Sequence, residues 1–364
     1  MLKRTVPLSI LLISLLLIAY FLLWPLGFEP PEFVPEPAPI LQGVLEPKYD
    51  LENVSAVYTG LGPEDIAFDN EGWMYSGLAN GQIVRRKPRS NHSEEWVNTR
   101  GRPLGLAFNT QGDLIVADAK RGLLSVDSTG QISVLASTLN DVPFKFVDDL
   151  VITNNGVIYF VDSSKDYGIG DDYIFNSFMD GRPLGRLLSY DPNSKTVEII
   201  HDKLFFPNGI TLSHDGQAVL VSEMMTYRVL RIEIGSSNKG ETSVFVNNLP
   251  GFPNNISRTG RDSYRLALSA PRNPEVEDLQ ANPFLRKVLM RLPDGIISPA
   301  KPVKYGLIIE LNHRGKIINS IQDPSGMHAF MLTSATEYQG DLYLGSIGDS
   351  EVKSHLVVHV REKG

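Results

Sequence analysis

The 364-residue chain contains no cysteine. That excludes a disulfide scaffold, a thiolate nucleophile and Cys-ligated zinc. It fits an oxidising or a reducing compartment equally. Basic runs are missing too. The net charge is -8, and no Lys/Arg stripe could follow a phosphate backbone, so no nucleic-acid partner is expected. Long amphipathic helices are also scarce. Pro274 to Leu292 is the best helical stretch, and it reads as an insertion.

What is present begins with an apolar run. Lys3 and Arg4 precede a charge-free, predominantly apolar run from Leu8 to Trp24, inside a broader span from Val6 to Phe28. That is close to the ~20 residues that span a bilayer. No small-residue cleavage triplet follows it, so it reads as an uncleaved signal-anchor rather than a signal peptide. The positive-inside rule then predicts a single-pass type II protein, with the bulk of the chain in the periplasm, lumen or extracellular space. Residues 1–28 are thus read as cytoplasmic tip and transmembrane helix. Residues 29–45, rich in Pro and Glu, read as an extended linker.

From residue 46 onward, short alternating apolar runs are separated by Gly, Asn, Asp and Pro clusters, the pattern of strands and turns. These runs repeat. Gly62-Pro-Glu-Asp-Ile-Ala-Phe-Asp69 aligns with Arg102-Pro-Leu-Gly-Leu-Ala-Phe-Asn109 and with Phe146-Val-Asp-Asp-Leu-Val-Ile-Thr153. Phe206-Pro-Asn-Gly-Ile-Thr-Leu-Ser213 and Phe252-Pro-Asn-Asn-Ile-Ser257 extend the series. In four of the five a glycine (Gly72, Gly112, Gly156, Gly216) lies eight residues after the motif's third position. A sixth unit runs from Ala335 to Gly345. Six units of this length predict an all-β, six-bladed propeller over residues 46–364, because a lone four-stranded blade cannot bury both faces. Ring closure predicts that Val54 to Thr59 pairs with His355 to Val360. The long segments Ser163 to Pro183 and Ala270 to Tyr305 are expected to line a pocket.

In a propeller, equivalent first-strand positions converge on the central axis. Here they are Glu64, Leu104, Asp148, Asn208 and Asn254, with Asn255 beside the last. All but Leu104 carry a side-chain oxygen. Asn and Asp also open strands and turns, but four blades in register match the oxygen-rich set that a hard cation such as Ca²⁺ takes. Asp162-Ser163-Ser164 reads as a strand end, since no nucleophile elbow surrounds it. Asn53, Asn91 and Asn255 each start a glycosylation triplet.

Gly101-Arg-Pro-Leu-Gly-Leu-Ala-Phe108, Val116-Ala-Asp-Ala-Lys-Arg-Gly-Leu-Leu124 and Phe206-Pro-Asn-Gly-Ile210 carry a family resemblance. So do Leu249-Pro-Gly-Phe-Pro-Asn-Asn-Ile256 and Tyr338-Gln-Gly-Asp-Leu-Tyr-Leu-Gly345. Together they resemble the strictosidine synthase-like proteins, and among these the adipocyte plasma membrane-associated group. The resemblance implies a type II anchor, a six-bladed propeller and kinship with calcium-dependent lactonases and paraoxonases. It further implies that Glu64, Asp148, Asn208, Asn254 and Asn255 hold a catalytic Ca²⁺. Two positions depart from the family pattern: Asp148 stands where relatives commonly have Asn, and Asn254 where they commonly have Asp.

The resulting expectation is a membrane-anchored Ca²⁺-dependent esterase or lactonase acting on small esters or lactones. His328, in Gly326-Met-His-Ala-Phe330, is a candidate catalytic residue near the channel mouth. Glu337 is another: Glu337-Tyr-Gln-Gly340 is similar to the context in which strictosidine synthases use a glutamate base for condensation. Its spacing from Gly340 does not fit the blade register. Two other functions remain open: a non-catalytic binding propeller with structural Ca²⁺, and a condensation enzyme using Glu337.

Overall fold

The computed structural model describes residues 7–292, 303–348 and 356–361, apart from positions 53, 59, 89, 91, 171 and 236. Among these residues the strands form six four-stranded antiparallel sheets and one two-stranded ribbon. Five of the large sheets are built from consecutive strands. Their innermost strands are Ile66–Phe68, Pro103–Phe108, Val147–Ile152, Pro207–Leu212 and Gly251–Arg258. The remaining sheet starts with Leu332–Tyr338 and joins both ends of the chain. Ser55–Tyr58 pairs antiparallel with Leu356–Arg361, Ser55 opposite His359 and Tyr58 opposite Leu356. The expected closure is therefore formed, although His355 and Thr59 lie outside the described residues. The six innermost strands contact one another in a closed ring, which makes the fold a β-propeller.

Between neighbouring sheets lies the core. Val161, Leu187, Val219, Val221 and Ile232 form one fully buried layer, and Ile115, Ala117, Leu123, Phe160 and Leu188 contribute to the next. Each such side chain contributes about 1.5–3 kcal/mol when fully buried. Direct bonds join neighbouring blades near the axis. Asp65 Oδ2 accepts from Leu106 N at 3.0 Å, and Asp149 Oδ2 accepts from Ile210 N at 2.8 Å. Ser222 Oγ donates to Asn254 O at 2.7 Å, and Thr333 Oγ1 to Glu64 O at 2.6 Å.

The repeated turn glycines have a steric cause. Gly72, Gly112, Gly156 and Gly216 all have positive φ, between 67° and 89°, a region that disfavours any Cβ. In the fifth unit Asp262 takes the equivalent place at φ 59°. In the sixth unit Tyr338 pairs with Asp341, so only Gln339 and Gly340 form the turn. The shorter turn shifts Gly340 by one position relative to the strand. The residue equivalent to Glu64 is consequently Thr333 rather than Leu332.

Among the described residues four α-helices complete the fold: α1 (Leu8–Leu23), α2 (Tyr173–Asp180), α3 (Pro274–Gln280) and α4 (Pro283–Leu289). The last two follow their sequence signals. Asn273 accepts from Glu275 N and Asn282 from Leu285 N, each with Pro at the first helical position.

The expected transmembrane span needs correction. Helix α1 has 16 residues, about 24 Å at 1.5 Å per residue, against a hydrocarbon core of about 30 Å. Among the described residues no helix is long and apolar enough to cross a membrane. Proline sets both limits. Pro7 is the N-cap, and Trp24, which precedes Pro25, is extended at φ -61°, ψ 124°, the conformation a following proline favours. Lys3 and Arg4 lie outside the described residues. The segment after α1 is tied down along its length. Arg291 Nε donates to Trp24 O at 2.8 Å, Phe33 N to Gln280 O at 3.1 Å and Arg272 Nη2 to Glu36 O at 2.6 Å. It runs as a strap across α3 and α4.

Candidate functional site

A β-bulge repeated around the ring builds the site. Pro103 pairs with Asp118 and Leu106 with Val116, so Leu104 and Gly105 together face one residue, Ala117. The same bulge recurs at Asp148-Asp149, Asn208-Gly209 and Asn254-Asn255. In the closing sheet the register shifts at Thr333 alone. Such bulges re-aim side chains that a regular strand would alternate. Here the first residue of each bulge faces a cavity at one end of the channel. Glu64, Leu104, Asp148, Asn208, Asn254 and Thr333 all line its floor. The second residues form a deeper layer.

The cavity measures about 790 Å³, ample for a drug-sized ligand. Its walls are apolar: Phe146, Phe178, Phe206, Met224, Phe252 and Leu279 are among them. Helices α2 and α3 supply part of the roof. They come from the two long segments expected to line a pocket.

Glu64, Asp148, Asn208, Asn254 and Asn255 are all at most 5% exposed. Asn208 Nδ2 donates to Asp148 Oδ2 at 3.2 Å, and Asn255 Nδ2 to Glu64 Oε1 at 3.0 Å. Ser163 Oγ lies 2.8 Å from Asp148 Oδ2 and 2.5 Å from the Pro207 carbonyl oxygen. These bonds leave three buried oxygens without a donor: Glu64 Oε2, Asn208 Oδ1 and Asn255 Oδ1. All three are acceptors, and an acceptor-only deficit is what a cation relieves.

The electrostatics point the same way. Burial, then the charges of Asp148, Asp65 and Asp149, push the Glu64 carboxyl well above its ordinary range, with Arg102 opposing. Burial drives Asp148 up to about 7, against Ser163 and Arg102. In the deeper layer burial raises Asp65 to about 6, and burial with Asp65's charge raises Asp149 further. Four crowded acids favour an added positive charge. The oxygen donors therefore fit a hard cation. Among the described residues no group of three or more His, Cys, Asp or Glu is placed to hold a metal, so such an ion would rest on two carboxylates supplemented by amide oxygens.

The two candidate catalytic residues lie elsewhere. Glu337 is near the far end of its strand, opposite Leu342, with its carboxylate 3.4 Å from Arg265 Nη1. His328 sits in a loop, its Nδ1 3.6 Å from Asp323 Oδ2 and its backbone N–H donating to the same oxygen at 2.8 Å. Neither lines the cavity. Asn255 is buried, out of reach of glycosylation, while Asn53 and Asn91 lie outside the described residues.

Sequence reasoning missed Thr333, Ser163 and Arg102. The first was hidden by the shortened turn. Arg102 opens its repeat one residue before the shared proline and was legible only as part of a motif. Asp118 fixes its backbone: the carboxylate accepts from Arg102 N at 2.9 Å, Thr99 Oγ1 at 2.7 Å and Arg121 N at 3.0 Å.

Comparisons with known proteins agree with this architecture. A strictosidine synthase family model matches residues 148–236, and a strictosidine synthase-like N-terminal model matches residues 49–86. The adipocyte plasma membrane-associated protein of Danio rerio is 34% identical over 360 residues, covering 93% of this chain and 86% of that one. The chain belongs to the strictosidine synthase-like family. Another similar member is strictosidine synthase-like protein 7 of Arabidopsis thaliana, 32% identical over 82% of this chain and 80% of its own. Among solved structures, a gluconolactonase from Xanthomonas campestris superposes with a TM-score of 0.62 at 13% identity, over 93% of this chain and 98% of that one. A calcium-binding regucalcin from Agrobacterium tumefaciens gives 0.60 at 13%, over 84% and 92%. At these identities the two structures share the fold with this strictosidine synthase-like chain.

Proposed function

We infer that this strictosidine synthase-like propeller is a Ca²⁺-dependent hydrolase of small esters or lactones. One observation carries the reading: the buried, acceptor-only cluster at the floor of a large apolar cavity. Glu64, Asp148, Asn208 and Asn254 would hold the ion, and Asn255 would brace Glu64 through Nδ2 while offering its own unpartnered Oδ1 as a further oxygen. When bound, the ion would supply positive charge to polarise a carbonyl oxygen. The chain's own residues do the rest. Asn208 and Ser163 fix the Asp148 carboxylate. Phe146, Phe206 and Phe252 exclude water and seat the apolar part of a substrate.

The gluconolactonase and the calcium-binding regucalcin support this reading through the fold they share with the chain. Membrane association is proposed as well. It is supported by the names of the adipocyte relatives and by α1, none of whose residues is buried.

The test is a panel of aryl esters and lactones offered to the purified full chain with Ca²⁺ and with EDTA. Turnover that EDTA abolishes and Ca²⁺ restores is expected. No turnover alongside Ca²⁺-dependent stabilisation would mean that the ion only ties the blades together.

A further inference from the structure

Arg102 is a buried charge near Glu64, Asp148 and Asp118 that forms no close ion pair with any described residue. Its side chain is about nine-tenths buried, yet it lines the cavity. Nη1 donates to Gly62 O at 2.9 Å. Nε and Nη2 make no hydrogen bond to the described residues, and the guanidinium forms no ion pair among them. Glu64 and Asp148 act on it only through space. The position is built for this group. Gly62, at φ 67°, leaves open the place where a Cβ would stand 3.2 Å from Arg102 Nη2, and Asp118 clamps the Arg102 backbone from behind.

Burying an unpaired guanidinium is costly. Lysine would relocate or lose its proton, whereas arginine keeps both its charge and a planar fork suited to two oxygens of one carboxylate. The surrounding wall is aromatic and aliphatic. A ligand that satisfies both features has a carboxylate head and an apolar body.

We propose that Arg102 is the anion-recognition residue of the cavity and that its ligand is the carboxylate of an apolar or aromatic acid. The proposal rests on the hydrolase reading only for the origin of that acid. Hydrolysis adds one water: an ester gives an alcohol, a carboxylate and a proton, and a lactone opens to one hydroxycarboxylate and a proton. The carboxylate oxygens would then come to rest against the Arg102 fork.

The experiment compares binding of 4-phenylbutyrate and 4-phenylbutan-1-ol, equal in carbon skeleton and differing in charge. It uses calorimetry on the full chain, with Ca²⁺ and with EDTA. The wild type is expected to bind the acid about tenfold tighter than the alcohol, a difference of about 1.4 kcal/mol. Arg102→Met should abolish the preference while binding the alcohol at wild-type strength, which shows an intact cavity. Arg102→Lys should lose most of it, because a buried ammonium relocates or gives up its proton. Equal binding of acid and alcohol by the wild type would overturn the proposal. So would an acid preference that survives in Arg102→Met, which would assign the anion to the cation site. Acid preference without any ester turnover would sink the hydrolase reading and leave Arg102's role standing.

Discussion

Asn208 gives its amide N–H to Asp148 and keeps its own carbonyl oxygen, buried and without a donor. One side chain thus braces a carboxylate from the neighbouring blade and presents an acceptor of its own. Replacing it with alanine removes both functions without touching the apolar core. Asn208→Ala is expected to lower Ca²⁺ affinity at least tenfold. In the wild type, Ca²⁺ at about 100 times its dissociation constant would add about 2.7 kcal/mol of stability. The melting temperature should therefore rise with Ca²⁺ in the wild type and hardly move in the variant.

Gly209 tests the bulge itself. A Cβ there would stand 2.4 Å from Asn255 Cα and 2.6 Å from Asn254 O, both backbone atoms of the next blade. The contact cannot be relieved by rotating a side chain. Gly209→Ala should cost about 3 kcal/mol, the upper range for overpacking a core, read as a lowered midpoint in urea unfolding.

Arg286 tests the roof. Its Nη1 donates to the carbonyls of Phe178 and Met179 at 3.3 and 3.4 Å, and its Nη2 to Gln280 O at 3.2 Å and to Pro31 O. It joins α2, α3 and the strap at one point. Arg286→Met should destabilise by about 3 kcal/mol, because the buried carbonyls lose a charged donor. Limited proteolysis should then cut first within 163–184 or 271–305, leaving the strands of the ring intact.

Asp323 sets a pH limit. Burial opposes its ionisation. Ser325 Oγ and the backbone N–H groups of His328, Ala329 and Ser325 outweigh that, and the net shift is downward. A carboxyl whose folded value lies below its unfolded one stabilises the fold above the unfolded value. It loses that contribution as pH falls through the folded one. The stability gap between wild type and Asp323→Asn should thus be constant from pH 7 down to about 5 and close below about pH 4. A urea series across that range checks it. A gap that widens on acidification would reverse the sign.

The strand starts and turn glycines were readable because they obey hard steric rules. A glycine at positive φ, or a proline before a bulge, leaves its mark at a fixed spacing. Glu64, Asp148 and Asn208 were found by the repeated motif and its spacing, and Asn254 by the motif alone. Thr333 was not, because one short hairpin broke the count. Arg102 and Ser163 escaped because their roles depend on where a neighbouring blade lies, which no local pattern encodes. Helix α1 shows a different limit. Composition gave its apolarity, but Pro25 settled its length. The candidacies of Glu337 and His328 rested on short local contexts, and packing placed both outside the cavity.

The closing sheet has a consequence for how the molecule is made. Its outer strand comes from residues 55–58 and the neighbouring strand from 356–361, so about 300 residues must be synthesised between the two partners. The ring cannot shut on the ribosome until the last strand has emerged. Until then Ser55–Tyr58 is an unpaired edge exposed to other chains, so a C-terminal truncation of a dozen residues should send newly made protein to aggregates rather than yield a slightly smaller propeller.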